Sequence, residues 1–200
     1  KGAPDYSAVI NKALAAKPDA FITNMFGGDA VACIKQAYDM GLHKTSMLVN
    51  SWTTYEVAMG IPAEAAEQLH ALTYYYYDVG GFSSDLAARG KALREDHTKK
   101  YGYPPDAYAV LGYTAVDVLL QAVQKAGSVD GKKVGKVLAT ATFNTVKGDA
   151  SFRADHQLQG KYLAFFVKGK AASKKKDKYD VFEVLGAYGG DKALPPLKSL

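Results

Sequence analysis

Polar and aromatic side chains follow two predicted strands of this chain, and their chemistry suits reversible binding of a small molecule. Phe26 and Asp29 come directly after an apolar run that stops at two glycines. Asn50, Ser51 and Trp52 come after the next apolar run. Amide and hydroxyl groups can hydrogen-bond a polar ligand, and aromatic rings can pack against its apolar part. These side chains are therefore the first candidates for ligand binding.

Helices and strands must alternate around these residues to position them. A helix is predicted over residues 7–17, and a buried strand begins at Asp19. An amphipathic helix follows Gly28 and ends at Gly41, and residues 46–50 predict the next buried strand. This alternation predicts a parallel α/β sheet, whose ligands bind at the carboxyl ends of the strands. The candidate residues are expected at that edge.

A third predicted strand, residues 69–78, carries four consecutive tyrosines. Alternation along a strand would place Tyr74 and Tyr76 on one face and Tyr75 and Tyr77 on the other. Buried tyrosine hydroxyls need hydrogen-bond partners. The strand is therefore expected to run out of the sheet toward a surface or a crevice.

Three helices are predicted next, with no strand between them. They cover about residues 85–101, 106–126 and 131–140. The predicted buried stripe of the second helix consists of Ala109, Tyr113, Val116, Leu120 and Val123. These helices could form a bundle, or they could cover a sheet that this chain does not supply.

The last third of the chain contains a predicted hairpin. Residues 144–159 have the composition of a loop, and the two strands that follow are expected at 161–167 and 179–185. A lysine-rich stretch lies between these strands and is predicted to be a solvated, mobile loop. Its lysines are not interleaved with aromatic residues on an ordered face, which argues against nucleic-acid binding.

Composition limits the classes of protein that this chain can represent. Its 200 residues are 48% hydrophobic, which is enough for a packed core in one domain or two small lobes. No run of about 18 apolar residues is present to predict a membrane-spanning helix. The single cysteine, Cys33, excludes an intrachain disulfide and a multi-cysteine metal site, and it is predicted to be buried or half-buried with no chemical role.

The residues that most often carry catalysis are not arranged for it. His43, His70, His97 and His156 lack metal-ligand spacing, and no nucleophile motif such as G-x-S-x-G is present. The pair 27–28 after a strand is similar to a dinucleotide-binding turn, but the third glycine is missing. The chain is therefore predicted not to be an enzyme and to use no cofactor and no metal.

Eight short segments occur in an order and spacing that are typical of one family. They are DYSAVI (5–10), KPDAF (17–21), IKQAYDMGL (34–42), AYAVLGYTAV (107–116), GDASF (148–152), GKY (160–162), YDVFEV (179–184) and PPL (195–197). No single segment is diagnostic, but together they extend over nearly the whole chain. In them the chain resembles the type I periplasmic solute-binding proteins of ABC importers, the branched-chain amino-acid-binding group.

The resemblance implies an α/β fold of two Rossmann-like lobes joined by three crossovers, of which this chain covers about the second half. Residues 1–78 would belong to the second lobe, and 82–157 would supply helices of the first lobe. Residues 160–200 would return to the second lobe with the hairpin and a C-terminal tail. The first-lobe sheet would precede Lys1, which would explain the helices without strands. Residues 74–77 and the region 152–159 would approach the hinge, with Tyr76 and Tyr77 as the candidate hinge residues.

The resemblance also implies a ligand site between the lobes. Carried over by position, Phe26 would pack on the ligand and Tyr108 would form an aromatic wall from the first lobe. The turn 50–52 matches the position of an acidic residue that meets the ligand ammonium in the family. Here the turn has no acid, which argues against a plain aliphatic amino acid. Asp29 could supply the negative charge instead, although an acid is also common at a helix start.

The function implied is capture of a small solute and its delivery to an ABC permease in the membrane. The solute would be an amino acid, an amide or an aromatic acid, and the protein would be periplasmic or otherwise extracytoplasmic, with its signal peptide not present in this chain. The alternative is a ligand-sensing receptor or regulator domain of the same fold. The tail 191–200 is typical of a chain end and favours the free-standing binding protein.

Two further expectations follow from the missing first-lobe sheet. The carboxylate clamp of the family would precede Lys1, so this chain alone is expected to bind ligand weakly or not at all. The helices of residues 82–126 are expected to expose an apolar face. Such a face would lead to self-association or to pairing with the missing N-terminal half.

Overall fold

The first 73 residues alternate between helices and strands in the computed structural model. The helices are α1 (Ser7–Ala16), α2 (Gly27–Asp39), α3 (Tyr55–Met59) and α4 (Ala63–Gln68), and the strands are β1 (Ala20–Thr23), β2 (Met47–Asn50) and β3 (Leu69–Thr73). β2 pairs in parallel with β1 on one side and with β3 on the other. The predicted parallel α/β sheet is confirmed. The structure describes residues 2, 5–190 and 193–197, so the predicted tail lies partly outside the described residues.

Helices α1 and α2 pack their apolar sides against β2. Ile10 of α1, Ala37 of α2, Leu42 and Leu48 form one core cluster in which every residue is 2% exposed or less. Cys33 of α2 is also fully buried, and burial raises the pKa of its thiol. The predicted burial of Cys33 is confirmed.

β3 ends before the four tyrosines. The hydroxyl of Thr73 donates to the carbonyl oxygen of Tyr75 at 3.1 Å, where the chain turns out of the sheet. Tyr75 and Tyr76 are consecutive and both are buried. The predicted alternation of the tyrosines between two faces is therefore wrong, because this segment is not a strand.

The second part of the chain contains four helices and a small antiparallel sheet. The helices are α5 (Ser84–Arg89), α6 (Lys91–Tyr101), α7 (Ala107–Ala126) and α8 (Gly131–Thr140), and the strands are β4 (Thr142–Thr145), β5 (Gly148–Phe152) and β6 (Leu158–Gly160). β5 pairs antiparallel with both β4 and β6. The predicted helix 85–101 is divided at Gly90. The predicted loop 144–159 is wrong, because β5 lies wholly within it and β4 and β6 overlap its two ends.

Helix α7 buries a different side from the one that the sequence predicts. Its buried residues are Ala107, Val110, Thr114, Val118 and Ala122. Val118 and Ala122 pack with Val134 of α8 and Phe143 of β4. The predicted stripe is wrong at Tyr113, Val116 and Leu120, which are 43%, 58% and 61% exposed.

The opposite side of α7 carries large apolar side chains that are between 43% and 61% exposed. They are Tyr108, Leu111, Tyr113, Val116, Leu119 and Leu120, and we call this set the α7 face. Smaller side chains face α8 and β4, so the larger ones remain outside. The expected exposure of an apolar face on this helix is confirmed.

Two late strands, β7 (Ala164–Gly169) and β8 (Phe182–Tyr188), complete the first sheet. The strand order is β1-β2-β3-β7-β8. The N–H of Leu163 donates to the carbonyl of Tyr188 at 2.7 Å, and the N–H of Lys170 donates to that of Val181 at 2.8 Å. These bonds close the two ends of an antiparallel hairpin. The predicted hairpin is confirmed, with both strands starting three residues later than expected.

Contacts divide the chain into two compact units. Unit 1 consists of residues 1–76 and 166–186, and unit 2 of residues 77–165 and 187–200. The chain passes between the units three times, and the last two passages lie within β7 and β8. The sequence prediction assigned all of residues 160–200 to the same lobe as the first strands. In the structure, residues 164–165 of β7 and 187–188 of β8 belong to unit 2. The matching of these units to the two lobes stays a prediction.

None of the helices in the described part of the chain combines the length and the apolar character needed to cross a membrane.

Candidate functional site

The ends of β1, β2 and β3 meet at one edge of the sheet of unit 1. The parallel register aligns Thr23 of β1 with Asn50 of β2, and Asn50 with Ala71 of β3. The segments that leave these strands therefore lie at the same edge. We call residues 24–26 and 50–54 at this edge the carboxyl edge. It contains the positions that the sequence proposed after β1 and β2.

Asn50 organises the carboxyl edge from inside. Its side chain is fully buried. The Oδ1 atom of Asn50 accepts a bond from the Thr23 hydroxyl at 3.0 Å, and its Nδ2 donates to the carbonyl of Trp52 at 2.8 Å. Asn50 therefore fixes the turn after β2 and presents no amide group to solvent.

Ser51 and Trp52 are the next residues of this turn and are partly exposed. The hydroxyl of Ser51 donates to Oδ1 of Asn24 at 2.7 Å, which joins the turns after β1 and β2. The ring centroids of Trp52 and Tyr74 are 6.3 Å apart. Sequence reasoning missed Asn24. This residue is the first after β1, just as Ser51 is the first after β2. The edge therefore offers an amide, a hydroxyl and an indole side by side.

Phe26 is the N-cap residue that directly precedes helix α2. It has extended backbone geometry and is 54% exposed. The next residue, Gly27, has a φ of +53°, in the left-handed region that glycine tolerates best. The two residues after Phe26 are glycines, which have no side chains to cover its ring. The ring is therefore exposed to solvent and can stack on a ligand.

Asp29 faces the start of the chain. One of its carboxylate oxygens, Oδ1, accepts bonds from the hydroxyl of Tyr6 at 3.1 Å and from the N–H of Gly2 at 2.8 Å. Burial, together with the bond to Asp29, raises the pKa of the Tyr6 hydroxyl. These contacts give Asp29 a structural role, because they hold the segment before α1 against α2.

Tyr108 belongs to unit 2, where it is the second residue of α7 and half exposed. It is also part of the α7 face. Within unit 1, the structure brings together Phe26, Ser51 and Trp52 at the edge, with Asn50 buried beneath them.

The two tyrosines proposed for the hinge lie on either side of the first passage between the units. Tyr76 is the last residue of the first segment of unit 1, and Tyr77 begins unit 2. The hydroxyl of Tyr76 donates to Oδ1 of Asp180 at 3.1 Å and accepts the N–H of Phe182 at 3.1 Å. Tyr76 is therefore anchored to the start of β8.

Asp180 is the centre of a buried polar network that sequence reasoning missed. Its carboxylate is fully buried and accepts bonds from the Lys170 ammonium, the Lys176 N–H and the Tyr76 hydroxyl. Burial alone would raise the pKa of Asp180, but these bonds outweigh it and hold the pKa below its usual value. We call these four residues the Asp180 network. The available signal was an acid inside the predicted strand 179–185.

Unit 2 contains a deeply buried lysine. The Nζ atom of Lys147 donates to the carbonyl of Leu163 at 2.7 Å and lies 5.7 Å from the ring centroid of Phe165. Burial lowers the pKa of Lys147 to about 7. Its contacts hold the turn between β4 and β5 to the start of β7, which is a structural role.

Two cavities lie away from the carboxyl edge. One of about 290 Å³ is lined by residues 43–48, Gln68 and His70, and one of about 550 Å³ by Arg153, Ala154, Gln159 and residues 194–197. Nδ1 of His70 is buried without a hydrogen-bond partner, and burial lowers the pKa of its imidazole. His70 stacks on Phe166 at 5.9 Å. Among the residues that the structure describes, no three His, Cys, Asp or Glu side chains are grouped to hold a metal ion.

Known proteins share this sequence pattern and this fold. A family model described as "Periplasmic binding protein" matches residues 1–175. The Leu/Ile/Val-binding protein homolog 1 of Brucella abortus (strain 2308) is 28% identical over 171 residues, which cover 84% of this chain and 44% of that protein. The chain therefore spans about half the length of the curated relatives that it matches.

Solved structures also share this fold over nearly all of this chain and about half of their own length. An amino acid ABC transporter substrate-binding protein from Pseudomonas fluorescens Pf-5 superimposes with a TM-score of 0.84 at 25% identity, over 98% of this chain and 50% of that chain. A solute-binding protein of an ABC transporter from R. palustris, in complex with benzoate, superimposes with a TM-score of 0.74 at 21% identity, over 96% and 50% of the two chains.

Proposed function

The chain belongs to the periplasmic binding protein family, and we propose on that basis that it supplies one wall of the ligand site in an ABC transporter's solute-binding protein. The observation that carries the proposal is the carboxyl edge, where Phe26, Ser51 and Trp52 leave neighbouring parallel strands. Ligands of open α/β sheets bind at such an edge. Reversible binding there needs no bond chemistry and no cofactor.

The side chains of the carboxyl edge favour a solute that combines a polar group with an aromatic or apolar part. Residues 24–26 and 50–54 include no charged side chain. The carboxylate of Asp29 is already hydrogen-bonded to Tyr6. An exposed phenyl ring and an indole favour stacking over ion pairing. Among the three ligand classes, an aromatic acid or an amide therefore fits this edge better than a plain amino acid. The solute-binding protein from R. palustris, which was solved in complex with benzoate, has the same fold.

Capture and release would follow from movement between two lobes. The chain passes between its two units three times, and the first passage lies between Tyr76 and Tyr77. This supports the proposal that these tyrosines belong to the hinge. A ligand that bridges the lobes would shift an existing equilibrium from open to closed. The closed form would then be the one that meets a membrane permease.

Trp52 is the only tryptophan of the chain, so its fluorescence reports directly on the proposed site. We expect titration with aromatic acids or amides to give a saturable change in Trp52 emission. Half-saturation is expected at about millimolar ligand concentration, because this chain spans only about half the length of its relatives. The measurement is a fluorescence titration of the 200-residue chain, and of a longer protein that contains it, with each ligand class, and no saturable change in either with any class would contradict the proposal.

Two alanine variants separate binding at the carboxyl edge from binding elsewhere. Phe26→Ala is expected to raise the ligand concentration at half-saturation at least about tenfold, because it removes a stacking ring. Met47→Ala is the matched control, since Met47 is another exposed apolar residue of unit 1 but begins β2 instead of following a strand. Equal half-saturation concentrations for the two variants would mean that the ligand binds away from this edge.

The α7 face leads to a prediction about association. We propose that the first-lobe sheet of a complete protein covers this face. In this chain alone the face is exposed, so we expect concentration-dependent self-association in sedimentation velocity. Leu120→Glu is expected to shift the chain toward monomer, because it places a charge in the face.

The control for this prediction is Gln124→Glu, which adds the same charge one turn along the same helix at an exposed polar position. It is expected to leave the sedimentation profile almost unchanged. A monodisperse monomer of the unaltered chain at high concentration would contradict the prediction.

A further inference from the structure

The segment between β7 and β8 concentrates the positive charge of the chain. Residues 168–178 contain one acid, Asp177, and six lysines, which are Lys168, Lys170, Lys174, Lys175, Lys176 and Lys178. The whole chain has a formal net charge of +5, so without these six lysines the charge would be 5 − 6 = −1. We call residues 168–178 the basic segment.

Hydrogen bonds hold the basic segment in place, which the sequence did not predict. Its centre is a single 3-10 turn, Ala172–Lys174. The N–H of Ala172 donates to a carboxylate oxygen of Glu67 at 3.2 Å, and the N–H of Lys176 donates to Asp180 at 2.9 Å. The segment is therefore tied at one point to helix α4 and at another to the Asp180 network.

Two acids in or beside the segment, Asp177 and Asp180, are held in hydrogen bonds. Oδ1 of Asp177 accepts the backbone N–H groups of Tyr179 at 2.7 Å and of Asp180 at 3.0 Å. Asp180 is fully buried and pairs with Lys170. Four lysines of the segment, Lys168, Lys174, Lys176 and Lys178, are exposed. The backbone of Lys176 ties the segment to Asp180, and we call the other three the outward lysines.

We propose that the basic segment is a docking surface for an anionic lipid bilayer. An exposed lysine near an anionic membrane contributes a sequence-independent attraction to the lipid headgroups, and several such lysines add together. A fixed segment presents these charges without first losing the conformational freedom of a mobile loop. The proposal concerns a different surface from the ligand site and does not depend on it.

The residue types favour a lipid surface over a specific protein or nucleic-acid partner. The basic segment contains no arginine, and arginine provides the planar fork that binds carboxylates and phosphates in a defined geometry. It contains no tryptophan or tyrosine to act as a buried anchor in a protein interface. The neighbouring Tyr179 is partly buried and packs edge-on against Tyr55 at 5.6 Å, so it offers no free stacking platform for a base.

Co-sedimentation with lipid vesicles tests this proposal. We expect the chain to bind vesicles of phosphatidylcholine with about one third phosphatidylglycerol, and to bind much less to phosphatidylcholine alone. Binding is expected to fall steeply as the ionic strength rises from about 0.01 M to about 0.15 M, because salt screens exposed charges.

Lysine variants assign the binding to the segment. The triple variant Lys168→Gln, Lys174→Gln and Lys178→Gln is expected to bind the anionic vesicles about a hundredfold more weakly, because each lysine contributes about fivefold to the binding constant. The control triple, Lys99→Gln, Lys132→Gln and Lys136→Gln, changes three exposed lysines of α6 and α8 and has the same net charge. It is expected to lose less than about fivefold. Unfolding midpoints of both triples show whether the fold is retained.

Three outcomes would overturn the proposal. Equal binding to both kinds of vesicle would assign the adsorption to exposed apolar residues. Equal losses in the two triple variants would assign it to net charge. Binding to immobilised polyglutamate or duplex DNA without binding to vesicles would identify a macromolecular anion as the partner.

Discussion

Replacing Gly169 by alanine is expected to destabilise the folded chain by about 3 kcal/mol or more. A Cβ atom at this position would lie 1.6 Å from the carbonyl oxygen of Ala66 and 2.5 Å from its carbonyl carbon. Both are backbone atoms of α4, so no side-chain rotation can relieve the overlap. Strand β7 would have to move away from the helix, which disturbs the packing on both sides. Urea unfolding followed by circular dichroism measures the loss.

Gly186→Ala is the matched control for this substitution. Gly186 also lies in a strand, β8, but a Cβ there would meet no atom within 4 Å. Its unfolding free energy is expected to stay within about 1 kcal/mol of the unaltered chain, and alanine can even stabilise by limiting the unfolded state. Equal midpoints for the two variants would show that β7 does not approach α4 as closely as described.

Replacing Asp180 by asparagine is expected to cost about 3–5 kcal/mol of unfolding free energy. The substitution keeps the size of the side chain but removes a buried negative charge that pairs with Lys170, whose side chain is only 14% exposed. Breaking a buried ion pair at one partner leaves the other charge in a poorly solvated position. The same urea experiment measures the effect.

Asp39→Asn is the control for the Asp180 variant. Asp39 pairs with Lys35 one turn away on α2, and about half of each side chain is exposed. Exposed pairs of this kind contribute less than about 0.5 kcal/mol. A loss of similar size in both variants would mean that the Asp180 network does not stabilise the fold.

The pH dependence of stability provides an independent check on Asp180. Its pKa in the folded chain is below the usual carboxyl value, so its contribution is fully present above that usual value of about 3.9. The contribution is lost as the pH falls through 3.9 toward the lower folded pKa. Unfolding midpoints measured from about pH 7 down to about pH 3 should therefore fall more steeply for the unaltered chain than for Asp180→Asn. Parallel curves would contradict this.

The elements that sequence reasoning found correctly are those with a local signal. β1 and β2 are short apolar runs that end at glycines or polar residues, and α2 and α8 have clear boundaries. Once the strands are parallel, their register places the residues that follow them at one edge. The position of Phe26, Ser51 and Trp52 at this edge could therefore be predicted without a structure.

Sequence reasoning failed on α7 because both sides of this helix are apolar. The stripe at Tyr113, Val116 and Leu120 has the larger side chains, and a periodic pattern does not show which apolar side is covered. The structure buries the side with smaller residues, such as Ala107 and Ala122, against its neighbours. The additional information needed was which side of α7 packs against α8 and β4.

The Asp180 network was missed for a different reason. Tyr76 and Asp180 are 104 residues apart along the chain, so no local pattern connects them. The buried hydroxyl of Tyr76 was expected to need a partner, but its identity depends on how β8 starts beside β7. Contacts of this range require the tertiary structure.

The division of the chain into two units limits how the protein can be dissected. Each unit consists of two separate stretches of sequence, because the chain leaves unit 1 after Tyr76, returns at Phe166 and leaves again after Gly186. A gene fragment for residues 1–76 would lack β7 and β8, which complete its sheet. No single cut can therefore release either unit intact, and grafting one unit onto another protein would need all three junctions to be rebuilt.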